Sequence, residues 1–243
     1  MKVLVVGDSC KDKFIYGECK RICTEAPVPV FNPINRTENG GMAKNVYNNL
    51  KSLAPDWNIK LLTNDTKIEK TRLVDIKTNQ MLLRVDENDQ CERIKNIEEI
   101  GKFDVVIISD YNKGFLQEED IEKLVNLYPI SFIDTKKIFG EWINNASFIK
   151  INETEFENNE SKISNLKLKG ELLITLGEKG VRYKNTILPP PRQAEVSDLS
   201  GAGDTFFAAF IFQLLNGSSL IESINYAQEC ALEVIEKKGV VII

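Results

Sequence analysis

Short apolar runs rich in β-branched residues recur along the chain, and they predict buried strands of a parallel sheet. These runs lie at residues 3–6, 59–62, 105–108, 132–133, 148–151 and 172–176. Apolar residues at three- and four-residue spacing predict helices at residues 43–53, 118–127, 206–215 and 220–236. This alternation predicts an α/β fold with a doubly wound, mainly parallel sheet flanked by helices, whose ligands bind at the carboxyl ends of the strands.

Two stretches, residues 14–34 and 71–86, interrupt this alternation. They contain extended-looking pieces, VPVF, TRLVDI and QMLLRV, with turn residues between them. They favour a small antiparallel sheet that projects from the core, in segments at about residues 13–36 and 70–87. Ordinary surface hairpins are the alternative. Because no internal repeat, Gly/Ser linker or low-complexity tract occurs, residues 1–243 are interpreted as a single domain.

The composition narrows the class of protein. Hydrophobic residues make up 42% of the chain and charged residues 28%, which is typical of a folded globular protein. A net charge of −5 provides no overall attraction to nucleic acid or anionic lipid, so neither is expected as a partner. The apolar opening MKVLVVGD is too short for a signal peptide or a membrane-spanning segment. The 5 cysteines show no repeating spacing of the kind that indicates a disulfide framework. Reduced thiols in a cytoplasmic protein are the expectation.

The absence of histidine restricts the chemistry further. It excludes a Ser-His-Asp triad and any zinc site built on histidine. Proton transfer would have to come from Asp, Glu, Lys, Tyr or Cys.

The stretch DLSGAGDT provides the strongest chemical signal. Gly201, Ala202 and Gly203 allow a ligand to approach the backbone, and a helix beginning near Asp204 would point free N–H groups at it. The sequence therefore predicts an anion-binding cradle with a carboxylate at its mouth. Asp204 as a simple helix N-cap is the alternative, although a cap does not require the preceding Gly-Ala-Gly.

Polar residues near two other elements are candidates for binding a polyhydroxylated ligand. Gly40 and Gly41 open a helix in which Asn45 lies about one turn along, although a tight turn has the same signature. Asp8 and Asp12 follow the first strand, where they could accept hydrogen bonds from hydroxyl groups. Exposed loop aspartates are the alternative for these two.

Two further stretches suit a nucleotide. The strand at residues 172–176 leads into a tight turn from Gly177 to Gly180, which a plain hairpin would also explain. Asn152 and Glu155 offer oxygen ligands for hydrated Mg²⁺, or they form a capping box at a helix start. The P-loop motif GxxxxGK[ST] does not occur, which excludes a P-loop nucleotide site. The dinucleotide-binding motif GxGxxG is also absent, so a dehydrogenase is supported only by the opening VLVVG.

Together, GGMAKN and DLSGAGD resemble the ribokinase-like (PfkB) carbohydrate kinase family, which is recognised by an early GG-x-x-x-N and a late D-x-x-GAGD. The segments GDSCKDKFIYG, RICTEAPVPV, LLRVDE, ISDYNKGFL and NETEF are similar to the kinase domain of bifunctional heptose-7-phosphate kinase/adenylyltransferases, from residue 3 to about residue 240. The resemblance implies a ribokinase-like fold with a β lid, and ATP- and Mg²⁺-dependent phosphorylation of a sugar or sugar phosphate. It also implies a homodimer formed through the lid.

The resemblance assigns roles to matched positions. Asp204 would be the catalytic base, and the amides of Gly201, Ala202 and Gly203 would form the anion hole. The residues that would bind the acceptor are Asp8, Asp12, Gly40, Gly41, Asn45 and Lys113. Those on the nucleotide side would be Asn152, Glu155, Thr175, Gly177, Gly180 and Lys136. Asn152 and Glu155 would act on Mg²⁺ indirectly, through water and phosphate.

Some features depart from the family pattern. The segment between Asn64 and Thr71 is shorter than in relatives, and Gln228 lies near where they have an asparagine beside the adenine. The match does not include an adenylyltransferase domain, so a heptose pathway would need a separate nucleotidyltransferase. Two alternatives therefore stay open: a kinase for another sugar or a nucleoside, and a sugar- or nucleotide-binding relative without turnover.

Overall fold

The computed structural model describes residues 1–243. Its strands are β1 (Lys2–Gly7), β2 (Ser9–Ile22), β3 (Pro29–Met42), β4 (Asn58–Leu62), β5 (Ile68–Asp75), β6 (Met81–Glu87), β7 (Val105–Asp110), β8 (Ile130–Thr135), β9 (Phe148–Asn152), β10 (Glu171–Thr175), β11 (Val181–Tyr183) and β12 (Thr186–Leu188). Its helices are α1 (Ala43–Leu53), α2 (Glu118–Leu127), α3 (Glu153–Ile163), α4 (Ala202–Leu215) and α5 (Leu220–Ile235). Short 3₁₀ turns lie at Ile97–Glu99, Glu141–Ile143 and Gly177–Lys179.

The main sheet has eight strands in the order β12-β11-β10-β9-β8-β7-β1-β4. Neighbouring strands from β10 to β4 pair in parallel, whereas β11 and β12 form an antiparallel edge. The central strands are fully buried because helices cover both faces, which explains their continuous apolar runs. The predicted doubly wound, mainly parallel sheet is confirmed.

The helices divide between the two faces of this sheet. One core contains residues of α1, α4 and α5, and the other contains residues of α2 and of the 3₁₀ turns at Ile97–Glu99 and Glu141–Ile143. Helix α4 is buried from Asp204 to Ile211, since it packs against both α1 and α5. This burial accounts for its nearly continuous apolar sequence.

A second sheet of four strands, in the order β3-β2-β5-β6, forms the predicted lid. Its strands extend beyond the predicted segments, since β2 begins at Ser9 and β3 ends at Met42. The lid is mixed and not purely antiparallel, because β2 and β5 pair in parallel. Strand β2 follows β1, and β5 follows β4. Because β1 and β4 are parallel neighbours, the two lid strands that continue from them leave the core in the same direction. None of the α-helices has the length and hydropathy needed to cross a bilayer.

Candidate active site

A cavity of about 390 Å³ lies between the carboxyl ends of the core strands and the lid. This volume is within the range typical of small-molecule sites. The predicted site residues that line it are Asp12, Gly41, Asn45, Lys113, Lys136, Gly201 and Asp204. Loops and helix starts that are distant in the sequence therefore contribute to one cavity.

Asp204 lies in the first turn of α4, with its carboxylate held from two directions. The Tyr111 hydroxyl donates a hydrogen bond to Oδ1 at 2.6 Å, and the Asn45 amide donates to Oδ2 at 3.0 Å. Burial raises the pKa of Asp204 to about 6, against the opposing effect of these two hydrogen bonds. A carboxylate with a pKa close to neutrality is well suited to accept a proton.

The start of α4 presents free backbone donors beside this carboxylate. The N–H groups of Gly201, Gly203 and Asp204 have no hydrogen-bond partner within the protein, as expected for an anion-binding helix start. The expectation for Ala202 needs correction, because its N–H donates to the carbonyl oxygen of Leu199 at 3.3 Å. That bond closes the turn before the helix, so the free donors come from its neighbours.

A buried ion pair lies beneath this helix start. The Lys150 ammonium on β9 contacts the Asp134 carboxylate on β8 at 2.7 Å, and both side chains are almost fully buried. A Cβ placed on Gly203 would be 3.4 Å from the Lys150 Nζ, so the ammonium lies directly against the glycine turn. Despite its burial, the pKa of Lys150 is raised by Asp134 and, to a lesser extent, by Glu155 and Asp204. A permanent positive charge therefore lies close to the free amides.

Asp8 does not lie where it was expected among the acceptor ligands. It is fully buried outside the cavity lining, and its carboxylate accepts hydrogen bonds from the backbone N–H groups of Tyr111, Lys113 and Phe115 at 2.7–3.2 Å. The short loop after β1 places the side chain under the loop after β7, because these strands are neighbours. Asp8 is therefore a support for the residue 111–115 loop.

Gly40 also differs from its expected place. It borders a neighbouring groove, and a Cβ there would meet the side chain of Lys44. Gly41 lies in the cavity, where a Cβ would be 2.7 Å from the Cys10 Sγ and 2.8 Å from the Asp12 Oδ2. Of the two glycines, Gly41 is the one that allows a ligand to approach.

Basic side chains of the lid and of the loop after β7 face the opposite side of the cavity. They are Lys70, Arg72, Arg84 and Lys113. Their partners are aspartates: Arg72 pairs with Asp12, Arg84 with Asp86, Lys113 with Asp89, and Lys70 with both Asp86 and Asp89. The basic side chains outnumber these aspartates, so this side of the cavity is suited to an anionic group.

Asn152 and Glu155 form a complete capping box at the start of α3. The Asn152 side chain accepts from the Glu155 N–H at 2.8 Å, and Glu155 accepts from the Asn152 N–H at 2.8 Å. Lys136 forms an ion pair with Glu155 and also lies 5.1 Å from the centre of the Tyr111 ring. The capping alternative for this pair is thus confirmed. Neither side chain lines the cavity, whereas Lys136, the ion-pair partner of Glu155, does.

The expected nucleotide residues of the next strand lie outside the cavity lining. Thr175 ends β10 and donates to the Ile151 carbonyl oxygen at 3.3 Å. Gly177 and Gly180 both have positive φ, and a Cβ on Gly180 would lie 2.1 Å from the Leu188 carbonyl oxygen. The tight turn before β11 therefore requires glycine at position 180. All three residues lie at the carboxyl edge of the sheet, beside Asn152.

Comparison with known proteins decides the family. Residues 34–242 match the family model of the pfkB family carbohydrate kinases. The chain belongs to this family. As a pfkB-family carbohydrate kinase it is an enzyme, and its cavity is the candidate active site.

Two kinds of relative are similar to this pfkB-family kinase. Bifunctional protein HldE of Helicobacter acinonychis (strain Sheeba) is 31% identical over 297 residues, which cover 98% of the chain and 63% of that protein. The chain therefore spans less than two thirds of that relative. The ribokinase of Thermotoga maritima has a TM-score of 0.73 at 16% identity, over 98% of this chain and 93% of that one. Arabidopsis thaliana ribokinase, solved with ribose and ATP, has a TM-score of 0.67 at 14% identity, over 98% of this chain and 93% of that one. The ribokinase-like fold is thereby confirmed.

Several residues that surround this kinase's cavity are not among those predicted from the sequence. Tyr111 follows β7 directly, and its position at a strand end within the stretch SDYNKG is a signal that the sequence contains. The signal for Lys150 is a single charged residue within the otherwise apolar strand sequence FIKI, which indicates a buried charge. For Lys70, Arg72 and Arg84 no such signal existed, because only the folding of the lid over the core brings them to the cavity.

Replacing Gly201 with alanine is expected to reduce kcat by about 10²-fold, because small displacements of catalytic groups have effects of that size. Gly201 has φ +83°, and a Cβ there would be 2.9 Å from the Asn45 Nδ2 that holds Asp204. Gly217→Ala is the matched control, since Gly217 has φ +93° but no atom within 4 Å of the added Cβ. Steady-state kinetics of both variants make the comparison. Equal losses of kcat would show that backbone strain alone explains the effect.

Proposed function

We propose that this kinase transfers the γ-phosphoryl group of ATP to a hydroxyl of a sugar phosphate, with heptose 7-phosphate as the best candidate acceptor. The observation that carries the proposal is the arrangement across one cavity: Asp204 and the free amides of α4 on one side, and the basic side chains of the lid on the other. The likeness to HldE over 98% of the chain supports a heptose-type acceptor.

The acceptor would lie between these two sides. Asp12, Asn45 and the backbone at Gly41 face the cavity as hydrogen-bonding partners for sugar hydroxyls. The acceptor's phosphate would contact Lys70, Arg84 and Lys113, which would exchange their aspartate partners for it. This arrangement directs the opposite end of the sugar toward Asp204.

The chemical step is an in-line displacement. The acceptor oxygen forms a bond to the γ-phosphorus as the bond from that phosphorus to the bridging oxygen of ADP breaks, and Asp204 takes the acceptor's proton. The amides of Gly201, Gly203 and Asp204 would donate to the oxygens of the transferring group, with Lys150 adding positive charge from below. The protein thus supplies geometry and a preorganised field.

Mg²⁺ fits the oxygen donors of the site only in an indirect role. No three Asp, Glu, Cys or His side chains are arranged to hold a metal ion. Mg²⁺ characteristically retains waters and binds through one or two carboxylates together with substrate phosphates. Glu155, positioned by Asn152, would hold it through water and phosphate, where the ion would neutralise charge on the phosphates. Thr175, Gly177 and Gly180 would line the nucleotide on the same edge of the sheet.

Two further parts of the proposal concern partners. Strand β6 is exposed along its length, with Met81, Leu82, Leu83 and Val85 each more than 40% exposed. An apolar edge strand of this kind suits a second copy of the chain, so we propose a homodimer formed through the lid.

A separate nucleotidyltransferase would use the phosphorylated product of a heptose acceptor. The kinase and this nucleotidyltransferase would both work in the cytoplasm.

The direct test is ADP release by the purified protein with ATP, Mg²⁺ and a panel of acceptors: heptose 7-phosphate, fructose 6-phosphate, ribose and a nucleoside. The proposal expects the highest kcat/KM with heptose 7-phosphate. Turnover only with ribose or the nucleoside would overturn the sugar-phosphate assignment. Binding without turnover across the whole panel would favour a non-catalytic relative.

The role of the lid charges has its own test. Arg84→Gln is expected to raise KM for the sugar phosphate by roughly 10- to 100-fold with a smaller effect on kcat, because a hydrogen bond to a charged group contributes about 1.5–3 kcal/mol. Arg21→Gln, which removes an exposed arginine from the far end of the lid, is the control and should leave KM unchanged. An unaltered KM in Arg84→Gln would place the acceptor's phosphate elsewhere.

A further inference from the structure

The loop after β7 contacts the proposed catalytic carboxylate directly. Its Tyr111 hydroxyl lies 2.6 Å from the Asp204 Oδ1, the shorter of the two hydrogen bonds that this carboxylate accepts from side chains. The two residues are 93 positions apart in the sequence. Since Asp204 is buried, Tyr111 replaces water as a hydrogen-bond donor to it.

Tyr111 is itself firmly held. Its backbone N–H donates to the Asp8 Oδ2 at 2.7 Å, and the same carboxylate accepts from Lys113 and Phe115 further along the loop. On the other side of the residue, the Lys136 ammonium lies over the aromatic ring. The next residue, Asn112, has a positive φ and accepts a hydrogen bond from the buried Lys137 at 2.6 Å. These contacts orient the hydroxyl toward Asp204 and restrict its motion.

We infer that Tyr111 is a positioning residue for the catalytic base: its hydroxyl orients the Asp204 carboxylate toward the cavity and stabilises its ionised form. This inference rests on the proposed role of Asp204. Tyr111 acts through Asp204 and not on the transferred group. Its phenol stays protonated, because burial and the nearby Asp204 carboxylate raise the pKa of Tyr111 well above its ordinary value.

The charged groups around Asp204 determine the direction of the expected effect. Burial raises the pKa of Asp204, the Tyr111 and Asn45 hydrogen bonds lower it, Asp134 raises it and Lys150 lowers it. Cys10 on β2 is a further neighbour, and burial raises the pKa of its thiol to about 12, so it stays neutral. Asp12, Arg72, Lys113 and Lys136 line the same cavity, and each of them is held in an ion pair. Around Tyr111, Glu155 is paired with Lys136. Loss of the Tyr111 donor must therefore move the pKa of Asp204 upward.

The test is the pH dependence of kcat in Tyr111→Phe. Because Asp204 must be ionised to accept a proton, kcat should fall as the pH drops through its pKa. In the variant this acid limb should move up by about one pH unit, so that kcat is roughly fivefold lower at pH 6, roughly tenfold lower below about pH 5, and recovers near pH 9. KM for the acceptor should change little. An acid limb at the wild-type position would overturn the inference.

Two further measurements separate this role from a structural one. Tyr128→Phe removes the hydroxyl of another tyrosine, which is buried and donates to the Gly101 carbonyl oxygen at 3.0 Å, and it should leave the pH profile unchanged. Replacing Tyr111 with 3-fluorotyrosine retains the ring and strengthens the donor, so the acid limb should move to lower pH. An unmoved limb there would also contradict the inference.

The two proposals can fail separately. If the wild-type protein transfers no phosphoryl group to any acceptor, the proposed function fails. The ¹³C NMR titration of the Asp204 carboxyl carbon still tests the inference on the protein without substrates, in wild type and in Tyr111→Phe. A higher pKa in the variant supports the role of Tyr111, and an identical titration curve refutes it.

Discussion

Asp204→Asn should reduce kcat by about 10²–10⁴-fold, the range that a positioned general base contributes. The amide has the shape of the carboxylate but cannot take the acceptor's proton. It would still accept from one of the two donors, Tyr111 or Asn45, so the helix start should keep its geometry. ADP release measured with saturating acceptor gives kcat, and KM for both substrates should stay within a few-fold of wild type.

The controls for this experiment separate chemistry from folding. Asp56→Asn, at an exposed position before β4, should retain full activity. The thermal unfolding midpoint of Asp204→Asn should be no lower than that of wild type, because removing a buried negative charge relieves a desolvation penalty. Retention of more than a tenth of the wild-type kcat would exclude Asp204 as the base. The proton would then have to go to another group.

Lys150→Met should destabilise the fold by about 3–5 kcal/mol, because it leaves the Asp134 carboxylate buried without a partner. The Lys150 and Asp134 side chains are only 6% and 4% exposed, and one Asp134 oxygen, Oδ1, has no hydrogen-bond partner even in the intact pair. Activity at neutral pH should fall as well, because Lys150 also lowers the pKa of Asp204. Urea unfolding of wild type and variant measures the difference in stability.

A matched lysine on the surface provides the comparison. Lys179 pairs with Glu153 at 3.2 Å, but these side chains are 60% and 48% exposed. Lys179→Met should therefore change the stability by less than about 1 kcal/mol. Adding Asp134→Asn to Lys150→Met should recover part of the lost stability, since the unpaired charge is gone. If both lysine variants unfold at the same urea concentration, the buried pair has no special importance.

The pattern of apolar residues was sufficient for most of the secondary structure. Every predicted strand and helix is present, with ends that differ by a few residues. Helix α4 begins at Ala202, earlier than residue 206, where the apolar pattern starts, and close to the start near Asp204 that the DLSGAGDT stretch predicts, because part of the glycine turn is already helical. Strands β11 and β12 were not predicted as part of the main sheet, since three-residue strands carry too little periodicity to be recognised.

The candidate site was predictable only where its chemistry is local. The run from Gly201 to Asp204 contains both the glycines and the carboxylate, so the cradle could be inferred from adjacent residues. Asp8 was misplaced because its partners are the amides of a loop more than a hundred residues away. A carboxylate after a strand has the same sequence signature whether it binds a ligand or supports a neighbouring loop.

The sequence alone determined the order of strands and helices, the glycine-lined helix start and the family resemblance, because each depends on residues close together in the chain. Only the tertiary structure decided which groups surround Asp204. Its two side-chain donors lie 93 and 159 residues away, and the basic side chains opposite it come from the lid and from the loop after β7. Their convergence depends on the parallel order of the core strands and on the direction in which the lid strands leave them. Those are long-range contacts that local periodicity does not encode.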